Sequence, residues 1–278
     1  VALNKKYFSF SLEPVSYDLN TFKYSLPEKN QTFSVLNDVP IESDNIIPQL
    51  KNFGMKLKLK NLTLGVGNWA NWWGPAMHNS LVLSNNSKGF NHFFIEYFND
   101  KITKNNYIFK IRYMVTKNFK NRFNQDFFLS AWYLIFKTKI AEIGITRNIL
   151  NGGIDGIRWN QNDAFLVLIS NKNLKYWDII NSYYVNLNFE ESKLDVYLEL
   201  GFTNNENGKR IFSTHRDHGL GSTVGFYKES IFNNKYLFLG AEYTRLVQSI
   251  YYDSLPSPNW YDNIIYNYNS YGQRRWSA

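Results

Sequence analysis

GMKLKLKNLTLGVG, residues 54–67, decides the fold class. Met55, Leu57 and Leu59 fall on one side of an extended chain, and Lys56, Lys58 and Lys60 on the other, because successive strand side chains point to opposite faces. A turn near Asn61 reverses the chain. Leu62, Leu64 and Val66 then resume the apolar side, opposite Thr63, Gly65 and Gly67. The stretch is a hairpin with one apolar and one polar face. The wall of a water-filled transmembrane barrel requires that pattern, and a soluble sandwich with one wet face produces it too.

The same beat recurs outward in both directions. Residues 107–115 (YIFKIRYMV) set Tyr107, Phe109, Ile111, Tyr113 and Val115 against Lys110 and Arg112. Residues 193–203 set Leu194, Val196, Leu198, Leu200 and Phe202 against Asp195, Tyr197, Glu199 and Gly201. Residues 128–137 and 139–147 read as a hairpin about Thr138, and residues 236–247 as a late strand. Such lengths suit tilted membrane strands of ~9–11 residues better than globular strands of ~5–6.

Polar turns are expected at residues 99–106, 118–126, 204–209 and 233–235, and irregular stretches at 27–49, 148–163 and 213–222. The one helix signal falls on residues 171–184. A single all-β domain over residues 1–278 is expected, an antiparallel transmembrane β-barrel of roughly 12–16 strands. Residues 1–50 would add plug, periplasmic or extracellular segments.

Composition agrees. Aromatics make up 18% of the 278 residues, and charged residues 19%. Aromatics favour pleated surfaces and gather at membrane interfaces. No stretch approaches the ~20 apolar residues of a transmembrane helix, so a membrane form must close as a barrel. The chain starts at Val1 without a basic and apolar leader, so a signal peptide is expected to be removed or absent.

The formal net charge of +8 suits an acidic polymer, an anionic membrane surface or nucleic acid; basic drift in an Asn- and Lys-rich chain gives it too. Nucleic acid would need a dense basic stripe, and the lysines are scattered along the chain, so no nucleic-acid partner is expected. The absence of Cys removes thiolate nucleophiles, CxxC zinc sites and disulfides.

Residues 67–86 concentrate recognition chemistry: Trp69, Trp72 and Trp73, then Gly74-Pro75, His78, Asn79 and Ser80, then Ser84, Asn85 and Asn86. Aromatic faces stack on sugar rings, and Asn and Ser bond their hydroxyls. The same tryptophans would equally form an interface girdle or fill a loop core. His215, Asp217 and His218 lack further ligands at a recognisable spacing, so no metal site is expected. Glu142, Glu199 and Glu242 lie on strands as conceivable glycosidase carboxylates. Without GxSxG, HExxH or a nucleotide loop, neither catalytic residues nor a cofactor are expected.

Trp72 to Pro75 (WWGP), followed by Ser80 to Asn86 (SLVLSNN), resembles the capsule-assembly protein Wzi family of outer-membrane barrels. Residues 142–147 (EIGITR) before Asn151-Gly152-Gly153, residues 240–244 (GAEYT) and Trp260-Tyr261-Asp262 are similar to later parts of that family's pattern. The chain is shorter than the pattern, as a shortened or trimmed member would be.

The resemblance implies a non-enzymatic surface lectin in the bacterial outer membrane, in contact with its lipid and holding capsular or other acidic polysaccharide. The candidate polysaccharide-binding residues are Trp69, Trp72, Trp73, His78, Asn85, Asn86, Lys88, Arg112 and Arg147. The alternatives are a porin-like channel for anionic or sugar solutes and a glycan-acting enzyme.

Overall fold

The computed structural model describes residues 2–17, 47–78, 80–83, 89–99, 107–120, 126–152, 177–203, 220–231, 236–247, 265–266 and 269–270. Twelve strands form one sheet: β1 (Ala2–Asn4), β2 (Phe8–Tyr17), β3 (Ile47–Leu59), β4 (Leu62–Gly67), β5 (His92–Asn99), β6 (Ile108–Lys120), β7 (Asp126–Lys137), β8 (Ala141–Gly152), β9 (Trp177–Phe189), β10 (Leu194–Thr203), β11 (Leu220–Glu229) and β12 (Phe238–Val247). Each pairs antiparallel with its neighbours in sequence order, and no pairing joins β1 to β12 among the described residues. β13 (Ile265–Tyr266) and β14 (Asn269–Ser270) make a separate pair.

Register carries the alternation through the sheet. Leu57 stands across from Leu64 and Lys58 across from Thr63, so the faces read from residues 54–67 are those of β3 and β4. Lys60, in the tight turn between them, has φ +54°. Downstream, Glu96, Arg112, Tyr133 and Thr146 stand in one cross-strand row on the inner face. Thr146 pairs on to Ser182, and the parallel row Gly144, Tyr184, Glu199 and Thr223 shares that face.

Exposure tells which face meets which medium. Met55 is 47% exposed, Val224 47% and Tyr243 64%, all on the outer, apolar face. Glu199, Thr146 and Ser182, on the inner face, are almost fully buried. A soluble sandwich would bury its apolar face instead. The inversion matches a lipid-facing wall, and removes the ambiguity that alternation alone left open.

Chain connections are also asymmetric. Residues 5–7, 60–61, 100–107, 138–140, 190–193 and 230–237 join strands at one end, and residues 18–46, 68–91, 121–125, 153–176 and 204–219 at the other, where four of the five connections are longer than any at the first. Exposed aromatics cluster at the short-turn end: Tyr7, Tyr97, Phe136, Phe189, Tyr236 and Phe238. Tyr107 stacks on Phe136 with ring centroids 5.6 Å apart. This is the arrangement of an aromatic girdle at a membrane interface.

Several expectations are corrected. Residues 177–184 of the expected helix lie in β9, and residues 171–176 are outside the described residues. Ile180 and Tyr184 occupy the inner face beside Ser182, so β9 lacks the apolar–polar contrast that reveals a strand. The expected turn at 118–126 begins later, because β6 continues to Lys120 past an irregularity between Thr116 and Phe119. Residues 47–49, 148–152 and 220–222, read as irregular, are strand. The hairpin about Thr138 is present: the Thr138 amide donates to the Ala141 carbonyl at 2.7 Å. The only helix among the described residues is a 3₁₀ turn, Glu190–Ser192, and no helix is long and apolar enough to cross a membrane.

Candidate functional site

The β4–β5 connection folds onto the inner face. The Asn68 side-chain carbonyl accepts from the Phe53 amide at 2.6 Å. Gly54 and Gly67, paired across β3 and β4, leave the bay that receives the Trp69 indole. Trp69 Nε1 donates to Ser11 Oγ at 3.1 Å, and its ring packs edge-on to Phe94. Lys56 Nζ sits 4.6 Å over that indole.

Trp73 is 4% exposed. Its ring meets Tyr133 of β7 edge-on, centroids 4.9 Å apart, and its amide bridges to the Leu83 carbonyl at 3.1 Å. Leu81, Val82, Leu83 and Phe90 complete the core against Met114, Leu129 and Ile180 of the sheet. A barrel wall turns its polar face inward, so this segment supplies the apolar surface that burial requires.

Gly74 is needed where it stands. Its φ of +136° is a conformation L side chains rarely adopt, and a Cβ there would come 2.8 Å from the Glu199 carboxylate. Beyond the bend, the Met77 amide donates to Glu242 Oε2 at 2.7 Å, and the His78 amide to the same oxygen at 3.4 Å. The segment therefore reaches from β4 to β12.

Tyrosines and glutamates make a recurrent pattern beneath it. Tyr133 donates to Glu96 at 2.9 Å, Tyr184 to Glu142 at 3.0 Å and Tyr197 to Glu242 at 2.7 Å. Tyr184 and Tyr197 each lie over the glycine paired across from them, Gly144 and Gly225. A Cβ at either glycine would collide with the ring. Glycine here lets a long aromatic lie flat along the wall and carry its hydroxyl to a carboxylate.

Glu142, Glu199 and Glu242 share the inner face; Glu142 and Glu242 are engaged, whereas both carboxylate oxygens of Glu199 are buried without a hydrogen-bond partner among the described residues. Glu142 also pairs with Lys137 at 3.3 Å, Glu199 is fully buried against Gly74, and Glu242 holds the amides above. The described residues hold no cluster of three His or acidic groups that would suit a metal.

The sequence-marked residues divide. Trp69 and Trp73 are packed against the sheet; Trp72 is half-buried, its Nε1 donating to the Ala76 carbonyl at 3.1 Å; His78 is exposed. Arg112 faces inward, its guanidinium 3.8 Å over the Phe94 ring and 4.0 Å from Glu96. Arg147, paired across from Trp132, is on the opposite face, so the two arginines do not converge. Asn85, Asn86, Lys88, His215, Asp217, His218 and Trp260 lie outside the described residues. Lys56, Lys58, Glu96 and Tyr133 were missed as candidates; the alternating KLKLK pattern was the available signal, but only register shows what faces it.

An antiparallel sheet with an apolar exposed face and a polar, filled inner face defines an outer-membrane β-barrel fold. A solved structure bears this out: Wzi, an outer-membrane protein involved in group 1 capsule assembly in Escherichia coli and described as a carbohydrate-binding β-barrel. It superposes with a TM-score of 0.52 at 10% identity, over 84% of this chain and 50% of that one, so the chain spans about half its length. Pseudomonas aeruginosa OpdL gives a TM-score of 0.31 at 9% identity, over 89% of this chain and 81% of that one. No protein-family model matches the sequence, and no curated protein matches it.

Proposed function

We propose that the chain is a non-enzymatic, Wzi-like barrel of the bacterial outer membrane that binds capsular or exopolysaccharide and holds it at the cell surface. The observation that carries this reading is the Trp-rich segment across the inner face, fixed from Ser11 and Phe53 to Glu242. A wall covered in this way favours holding a ligand over conducting one. The likeness to a carbohydrate-binding barrel supports the ligand class. Within the segment, Trp72 and His78 retain accessible surface for a sugar, whereas Trp69 and Trp73 serve to position the loop.

The experiment is paired: the purified barrel is tested for capsular polysaccharide binding by calorimetry and for conductance in planar bilayers. Binding with a silent bilayer is expected. Conductance without binding would favour the second reading, a porin-like channel for anionic or sugar solutes, which the cations Lys56, Lys58 and Arg112 on the inner wall support. Release of reducing ends from the glycan would overturn the non-enzymatic role.

A further inference from the structure

Residues 74–78 hang from a fixed neck. Trp73, just before them, is pinned by its amide to the Leu83 carbonyl and by its ring to Tyr133. Ser80, two residues past them, is fully buried, and its hydroxyl donates back to the Trp73 carbonyl. Trp72 Nε1 ties the Ala76 carbonyl to the same neck. None of these bonds involves β10, β11 or β12.

Two carboxylates of that part of the wall act on the bend in opposite senses. Glu242 Oε2 accepts from the Met77 amide at 2.7 Å, from the His78 amide at 3.4 Å and from the Tyr197 hydroxyl at 2.7 Å. Hydrogen bonds to a carboxylate are the strong kind, so Glu242 holds the tip of the bend down. Glu199 lies under its root, directly against Gly74. That carboxylate is fully buried, and neither oxygen has a hydrogen-bond partner among the described residues. The Ser182 hydroxyl beside it is paired with Thr146 at 2.8 Å. No Lys or Arg pairs with Glu199 among the described residues. Burying a carboxylate without partners is costly, and water restores what burial removes. Lifting the bend is the movement that admits it. Gly74, with φ +136°, stands at the junction of neck and bend and has the backbone freedom that L residues lack.

We infer that residues 74–78 are a hinged lid over the β10–β12 wall: Gly74 is the hinge, Glu242 the latch, and the unpartnered Glu199 carboxylate the group that drives the lid open. Opposed groups under one short loop make a two-state element, closed as described here and open by rotation at Gly74. Opening leaves the neck and the apolar core in place. It uncovers Glu199 and its cross-strand neighbour Thr223, and so sets how much of the inner wall is accessible. The lid stands independently of the carbohydrate-binding reading.

The chain contains no Cys, so one introduced thiol reports one place. Thr223, across from Glu199, and Thr146, across from Tyr133 and under the neck, are both almost fully buried. Folded barrels carrying Thr223→Cys or Thr146→Cys are reacted in detergent with a neutral methanethiosulfonate, and bound label is read by mass spectrometry. Heat-modifiable gel migration checks that each variant is folded. Thr223→Cys is expected to label slowly. Adding Glu242→Ala frees the lid and should raise that rate on the order of tenfold; adding Glu199→Gln removes the charge that opposes closure and should lower it by a similar factor. In the Glu199→Gln variant the Met77 amide should also exchange more slowly with deuterium, a readout independent of thiol reactivity. Thr146→Cys should stay unlabelled throughout.

An unchanged Thr223→Cys rate with Glu242→Ala overturns the latch, and with it the lid. Unchanged or faster labelling and exchange with Glu199→Gln overturns the opposing role of that carboxylate. Labelling of Thr146→Cys in step with Thr223→Cys means that the whole segment leaves the wall, and overturns a hinge at Gly74.

Discussion

The Trp-rich segment and the set Lys5, Lys6, Lys56, Lys58 and Lys60 are opposites in how they are written and how they are built. The tryptophans sit within five residues of sequence, Trp69 to Trp73, and look like a binding motif. Folding puts two of the three into packing contacts, against Ser11, Phe94 and Tyr133. The lysines are spread over residues 5–60 and look like background charge, yet folding gathers them around one space. Proximity in sequence marks a local structural unit. Proximity across strands is set by register and leaves no mark in the local sequence.

This contrast is breakable first at Trp73. Replacing it with Ala should cost about 3–5 kcal/mol, as for buried Trp generally, while the half-buried Trp72→Ala should cost less than half as much; urea unfolding of the barrel measures both. Equal losses would mean that burial does not separate the two. A smaller effect is expected at Gly144→Ala, where the new methyl must displace the Tyr184 ring and disturb its bond to Glu142. Overpacking of this kind costs about 1–3 kcal/mol, readable as a lowered unfolding midpoint. The least effect belongs to Lys58→Gln, which should move stability by under about 0.5 kcal/mol, toward greater stability at low salt and none at high salt. A large loss there would make Lys58 a structural residue and erase the contrast.

The sheet was legible because β3, β4 and β10 alternate, and period two assigns each side chain to a face without knowledge of the partner strand. β9 was illegible because its inner face carries Ile180 and Tyr184, covered by an apolar segment that the strand's own residues do not announce. The site was harder still. Whether Trp73 stacks on a sugar or on Tyr133 depends on which strand lies 60 residues away. The pairing of Tyr133, Tyr184 and Tyr197 with their glutamates depends on glycines one strand over. Alternation gives faces; only register gives neighbours.

The two hydrogen bonds at Glu242 have a consequence for the order of assembly. Met77 and His78 find their acceptor 165 and 164 residues later in the chain, whereas neighbouring strands pair through hairpins. Contacts of such long sequence separation carry the greatest loop-closure cost and form late. The Met77–His78 end of the segment must therefore wait until β12 has joined the sheet, although the segment's apolar surface packs on β5 to β9. Seating of that end becomes the step that registers the wall as complete, so a barrel interrupted before Glu242 is left with its Met77–His78 bend unanchored.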